Sequence, residues 1–336
     1  MPEREDPAAP RIDVHVHLAG VGTQGSGCWV SPRFRRRPTF LGLRLAYRIG
    51  PEQMRTTVDQ DWAAMIARLT EQGEIDYAVV LGFDGVYRAD GSLDEVRSQM
   101  IVPPRWVFEV CERYRNLLPA PSINPHRADA MDLLDEAIER GAVIIKWLPI
   151  VQAIDPWSRR VRPFLQCLAD AGIPLLIHAG TGEITFKTVA PQLTSVEVLE
   201  PPLEAGVSVV CAHAGRRIHL SREPDESGRL QALMERFPRL WVDNSGLANT
   251  GRFAHLPRLA SDPLIRERVL HGSDFPVPTS SVFYTRRVGA GGVMRIERER
   301  NAIQRDLLIK RALGFPEQSF TRASRVLANL DRWVGR

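Results

Sequence analysis

The 336 residues carry 44 basic and 40 acidic side chains, a formal charge of +4, with 44% hydrophobic and 25% charged residues, an ordinary globular balance with enough apolar material for a large core. The basic residues are scattered rather than clustered, so neither nucleic acid nor a membrane surface is expected as a partner. No apolar run approaches the roughly 18 residues of a membrane span; four separated cysteines without a CxxC pair and the charged, proline-rich start MPEREDPAAPR point to a soluble chain in a reducing, cytoplasmic setting.

In chain order, RIDVHVHL (11–18) reads as the first strand, residues 20–51 as a long insertion after it, and DWAAMIARLTEQG as a helix. The strands DYAVVLGF, NLLPAPSI, GAVIIKWL, GIPLLIHA, GVSVVCAH, RLWVDNS and RVLHGSDF follow, interleaved with the helical patterns ADAMDLLDEAIERG, VRPFLQCLADAG and SGRLQALMERFP. Apolar runs without strict alternation suit strands buried on both faces of a parallel sheet. Gly73, Gly141, Gly172 and Gly206 end helices and read as left-handed caps. Residues 275–297, containing GAGGV, read as a long loop, and ASRVLANLDRWV, within 315–336, as a closing helix. Eight strands alternating with helices predict an α/β fold, a distorted (β/α)8 TIM barrel with long βα loops, forming a single domain over residues 1–336; a doubly wound open sheet is the structural rival.

Two signals compete just after the first strand. Gly20-x-Gly22-x-x-Gly25 has the spacing of a dinucleotide-binding turn, but no helical period follows Gly25. From Val14 to Pro51 there is also no acidic residue for a ribose, so both contexts the fingerprint needs are missing. His15 and His17, by contrast, fall on the same face of a strand because the strand repeat is two residues. Other metal-binding and charged side chains recur at the carboxyl ends of the later strands: Lys146 in the fourth, His178 in the fifth, His213 in the sixth and Asp274 beyond the eighth. A barrel gathers those ends on one rim, which makes the set a metal-site candidate. His126, His219 and His255 fall in loops or helix starts and carry no assigned chemistry; His271 is expected to pack in the last strand or support Asp274.

The combination of HVH, a lysine after strand four, histidines after strands five and six, and HGSDFP resembles the amidohydrolase superfamily, with IIKWLP and PLLIHAG resembling its amidohydrolase-2 branch of TIM-barrel metal-dependent hydrolases. The resemblance implies a divalent metal held by His15, His17, His178 and Asp274, zinc first, with manganese, iron or cobalt as alternatives. It also implies metal-activated water or hydroxide, with Asp274 as proton acceptor. His213 would polarise the substrate carbonyl or bind a second metal. Lys146, if carboxylated, would bridge two ions; otherwise it would bind a substrate carboxylate. Only three of the basic residues are lysines, Lys146, Lys187 and Lys310, and arginine cannot supply the neutral amine that carboxylation needs.

The expected activity is hydrolysis of a lactone, ester or amide of a small molecule. Nonoxidative decarboxylation of an aromatic or muconate-type acid is the alternative, and a non-catalytic metal-binding barrel the second. Arg216 and Glu183 are candidate substrate-binding residues, with Arg217 beside Arg216, and PRFRRRP (32–38) a basic stretch of the insertion that could attract a carboxylated substrate. A homo-oligomer is compatible with the sequence.

Overall fold

The computed structural model describes residues 9–219, 221 and 223–336. All eight expected strands form: β1 (Ile12–His17), β2 (Tyr77–Leu81), β3 (Leu117–Ala120), β4 (Ile145–Trp147), β5 (Leu175–Ile177), β6 (Val209–Cys211), β7 (Leu240–Asp243) and β8 (Val269–Leu270). They pair in parallel as β1-β2-β3 and as β4-β5-β6-β7-β8. Backbone bonds join the two sheets on both sides. The Val143 and Lys146 N–H groups donate to the Pro119 and Pro121 carbonyls, and the Val14 and His17 N–H groups donate to the His271 and Phe275 carbonyls. The sheet therefore closes into a TIM barrel, which rules out the open-sheet rival. Val79, Leu118, Ile145, Leu176, Val210, Val242 and Leu270 are all fully buried, as strands covered on both faces require.

The outer layer contains α1 (Pro38–Ala46), α2 (Val58–Glu71), α3 (Pro104–Arg113), α4 (Ala130–Glu139), α5 (Arg162–Asp170), α6 (Ser227–Arg236), α7 (Pro263–Arg268), α8 (Thr285–Glu297) and α9 (Ala302–Ala312). Gly141, Gly172 and Gly206 take positive φ as expected. Gly73 does not; a Cβ there would lie 3.0 Å from Gln304 Oε1, so close approach to α9, not a left-handed cap, accounts for it.

The glycine turn has an anion after all, and it belongs to the chain. The Asp59 carboxylate, in the first turn of α2, accepts the Val21 and Gly22 N–H groups at 2.8 and 2.9 Å and the Ser26 hydroxyl. Gly22 and Gly25 have φ of 102° and 77°, conformations that suit a backbone nest around a carboxylate. The turn thus pins the insertion to α2. Further on, Trp29–Val30 pairs antiparallel with Met100–Ile101 from the loop after β2.

Two expectations are corrected. Most of 275–297 is helical: α8 occupies Thr285–Glu297, and GAGGV is where it bends, with Gly289 at φ 75°. The segment 315–336 is not one closing helix but a short helix, Gln318–Thr321, followed by 3₁₀ turns at Arg322–Arg325 and Leu330–Arg332. Polar side chains there bond elsewhere: Asn329 donates to the Ala142 carbonyl and Trp333 Nε1 to that of Gly141. Tertiary hydrogen bonds outweigh the helical pattern.

Beneath the last strand, α9 contributes a buried ion pair. Lys310 and Asp306 are 0% and 1% exposed; Lys310 Nζ donates to Asp306 Oδ2 and to the Gly272 carbonyl, fixing the backbone of the HGSD turn from outside the barrel. Lys310→Met is expected to destabilise the protein by about 3–5 kcal/mol, because it leaves a buried carboxylate unpaired, and Asp306→Leu combined with it should recover much of that loss. Urea unfolding of the two variants checks this.

Candidate metal centre

The carboxyl ends of β1, β4, β5, β6, β7 and β8 meet at one rim. His15 lies within, and His17 just past, a register irregularity between Asp13 and Val16 of β1, and their rings lie edge to face with centroids 5.0 Å apart. His15 Nε2 and His17 Nε2 both face Asp274 Oδ1, at 3.4 and 3.0 Å. A tetrahedral cation bound at about 2.0–2.1 Å holds its ligand atoms about 3.3–3.4 Å apart, so these three donors fit a divalent metal. The His15 and Asp274 side chains are nearly buried, at 1% and 7% exposure, while His17 is at 26%; of these three, His17 faces the opening.

Hydrogen bonds select which nitrogen each histidine offers. His15 Nδ1 lies 2.8 Å from Asp243 Oδ2, so Nδ1 carries the proton and Nε2 keeps its lone pair toward Asp274. His213 Nδ1 lies 2.9 Å from the Ser245 carbonyl, an acceptor only, which leaves Nε2 unprotonated. His178 Nε2 lies 3.2 Å from the Thr181 carbonyl, which leaves Nδ1 free. The His178 and His213 rings are 5.1 Å apart, as are those of His15 and His213. Burial lowers the pKa of all three, to about 3 for His178 and His213. They are therefore neutral donors at physiological pH.

Burial by itself would raise both carboxylates. Asp274 is nevertheless held far below the usual range by His213, His17 and His15, and Asp243 by His15, His213 and the Ser245 hydroxyl. Lys146, in β4, is buried among them. Burial pulls its ammonium down to about 8, against the opposing pull of Asp243, Asp274 and Glu183, and among the described residues its Nζ has no hydrogen-bond partner. A neutral amine is thus accessible.

Backbone geometry is equally specific. His213, Ala214 and Asp274 have φ of 56°, 47° and 64°, left-handed values that non-glycine residues adopt at a cost. A Cβ at Gly272 would lie 2.8 Å from His15 Cβ, and one at Gly246 would overlap Asp274 Oδ2.

All six rim residues singled out from sequence thus lie at one end of the barrel, His15 and His17 in direct reach of Asp274 and His213 beside them, its Nδ1 4.0 Å from Asp274 Oδ2. Others lie elsewhere. Arg216 turns away, between α6 and α7: its guanidinium donates to Ser227 Oγ and lines a cavity of about 310 Å³ with Asp225, His255 and Asp262. Arg217 donates to the Ser221 and Glu223 carbonyls. Glu183 does lie near the centre, acting electrostatically on Lys146 and His178, with its Oε1 accepting the Thr185 N–H. His271 packs its ring against Phe320 and has no hydrogen-bond partner for either nitrogen; it does not touch Asp274.

Three residues of the site were missed. Asp243 orients His15 and also accepts the His213 and Ser245 N–H groups at 2.7 and 3.0 Å; its signal was the polar VDNS end of β7, matching the other strand ends. Asp13 Oδ1 accepts the N–H groups of His15 and Ser273, tying the two ligand-bearing strands together. Arg252, buried in the loop after β7, gave no sequence signal.

The model of a family described as amidohydrolase matches residues 12–302. No curated protein matches the chain. Among solved structures, an uncharacterized TIM-barrel protein from Bordetella bronchiseptica is 17% identical over 94% of this chain and 100% of its own, with a TM-score of 0.57. A putative 2-pyrone-4,6-dicarboxylic acid hydrolase from Pseudomonas putida is 17% identical over 96% of each chain, with a TM-score of 0.48. A 2,6-dihydroxybenzoate decarboxylase from Rhizobium is 11% identical over 91% of this chain and 98% of its own, with a TM-score of 0.45. The first likeness supports the barrel.

Asp243→Ala is expected to weaken metal binding 10–100-fold, because His15 loses the acceptor that fixes its tautomer. Competition with a chromogenic chelator measures it, and circular dichroism should show the fold retained.

Proposed function

This chain belongs to the amidohydrolase family of TIM-barrel enzymes, and we propose that it is a metal-dependent hydrolase acting on a lactone, ester or amide of a small molecule. The observation that carries the proposal is the convergence of His15 Nε2 and His17 Nε2 on Asp274 Oδ1. His15, His17, His178 and Asp274 would hold a first divalent cation, zinc being the natural match to this nitrogen and carboxylate set. Such a cation, when bound, supplies Lewis acidity and water of lowered pKa at neutral pH.

The chain's own groups complete the reaction. Asp274 stays ionised at any neutral pH and is placed to accept a proton from the attacking water. The protonated carboxyl can then pass that proton to the leaving group. His213, with Nδ1–H committed to the Ser245 carbonyl, presents a lone pair rather than a donor, which favours a ligand role over polarising the carbonyl. If Lys146 is carboxylated, His178 would instead join His213 in holding a second cation, and the carbamate would supply a further ligand. Lys146 is a buried residue whose Nζ has no hydrogen-bond partner among the described residues, which supports that modification.

Nonoxidative decarboxylation is the second reading, favoured by the fact that the His15–His17–Asp274 group is complete without Lys146. Product analysis separates the two: hydrolysis incorporates ¹⁸O from labelled water, and decarboxylation releases CO2 without it.

Removing metal with a chelator should abolish turnover, and adding back zinc or manganese should restore it. Asp274→Asn should lower kcat by about 10²–10⁴-fold. Metal analysis of Lys146→Ala tests the bridging lysine: two ions falling to one supports it, and one ion in both proteins argues against it.

A further inference from the structure

Resting on the hydrolase reading, we infer that Arg252 anchors a carboxylate of the substrate, so that the site takes a small carboxylated carbonyl compound. Arg252 is 6% exposed. Its Nη2 donates to Thr181 Oγ1 at 3.1 Å and to the Gly182 carbonyl at 3.4 Å, and its Nε is buried with no acceptor. Among the described residues no carboxylate oxygen lies within ion-pair distance of this guanidinium. Glu183, Asp274, Glu223 and Asp243 act on it only through space.

A buried charge without a partner is strongly disfavoured, and two other buried or part-buried cations of the chain have carboxylate partners. Lys310 meets Asp306, and Arg127 meets Asp84 and Asp129. Lys146 can shed its proton, but a guanidinium cannot. An arriving anion is what would complete Arg252.

Its position fits substrate rather than structure. Arg252 comes from the loop after β7 and meets Thr181 and Gly182, three and four residues beyond His178, and it acts electrostatically on His178 and His213. The fork of a guanidinium binds a carboxylate through two parallel N–H bonds. Arg216 and Arg217 are committed elsewhere, so neither adds a second guanidinium beside Arg252. That matches one monoanionic carboxylate better than a phosphate dianion.

Titration calorimetry of the metal-loaded protein with benzoate, methyl benzoate and inorganic phosphate tests the inference on wild type, Arg252→Gln and Arg252→Lys, each first assayed for equal metal content. Benzoate should bind wild type, bind Arg252→Gln at least tenfold more weakly and be partly restored in Arg252→Lys, while methyl benzoate discriminates among none of them. Equal benzoate affinity in wild type and Arg252→Gln, no benzoate binding to wild type, or tighter binding of phosphate than benzoate would each overturn it. If Arg252→Gln does not fold, wild-type crystals grown with benzoate decide: a carboxylate on the Arg252 guanidinium supports the anchor, and its absence there refutes it. Benzoate bound through Arg252 by a protein that hydrolyses nothing would sink the hydrolase reading alone. Hydrolysis of uncharged esters with no dependence on Arg252 would sink the anchor alone.

Discussion

A buried carboxylate in a left-handed backbone conformation, Asp274, constrains the rim more than any other group. Its N–H donates to the His15 carbonyl at 2.8 Å, so the main chain of β1 fixes where it begins. Its Oδ1 meets two imidazoles and its Oδ2 leaves no room for a side chain at position 246. The glycine of HGSD is required two residues before it, because β1 passes against Gly272 at His15. Lys310 then holds the Gly272 carbonyl from the outer layer. Packing, strain and electrostatics all converge on one side chain, and the neighbours are the small residues that such close approach demands.

The charge balance follows from that arrangement. Two carboxylates, Asp243 and Asp274, are buried beside histidines that burial keeps neutral. Neutral imidazoles relieve a buried carboxylate only through hydrogen bonds and ring N–H dipoles, whereas a divalent cation would meet it directly and use the free nitrogen lone pairs at the same time. Asp243 and Asp274 divide the work. The first faces the protonated nitrogen of His15 and orients it; the second faces the unprotonated one. His15, His213 and Asp243 also cluster but form the orienting layer, because the Nδ1 protons of both histidines are already spent on Asp243 and Ser245.

Much of this was legible in the sequence because it depends on strand ends. Eight apolar runs specify a barrel, and a barrel places the residue after each run on the same rim, so His15, His17, Lys146, His178, His213 and Asp274 could be grouped without coordinates. Side chains that reach the site from mid-loop could not. Arg252 lies nine residues past the end of β7, and only the path of that loop brings it to Thr181. Arg216, three residues after His213, lies away from the centre for the complementary reason. The left-handed turn through His213 and Ala214 redirects the chain, so sequence proximity to His213 carries Arg216 outward to α6. The glycine motif lacks the context of a nucleotide turn, and its carboxylate partner, Asp59, lies more than thirty residues downstream, beyond the reach of any local pattern.

The scarcity of lysine against 41 arginines gains a physical meaning from where the three lysines fall. Lys187 is exposed, but Lys146 and Lys310 are buried, in places where a guanidinium fails for different reasons. At Lys310 a compact ammonium sits between Asp306 and the Gly272 carbonyl in a fully enclosed space, which a planar fork with five donors could neither fit nor satisfy. At Lys146 the requirement is chemical. Burial pulls the Lys146 ammonium down to about 8, so a neutral amine is accessible near neutral pH, which a guanidinium does not offer. Arg252 shows the converse: a cation that must stay charged while buried, and that therefore needs an anion from outside. In a chain that otherwise uses arginine by default, the choice of cation at each buried position separates packing, neutral chemistry and recognition.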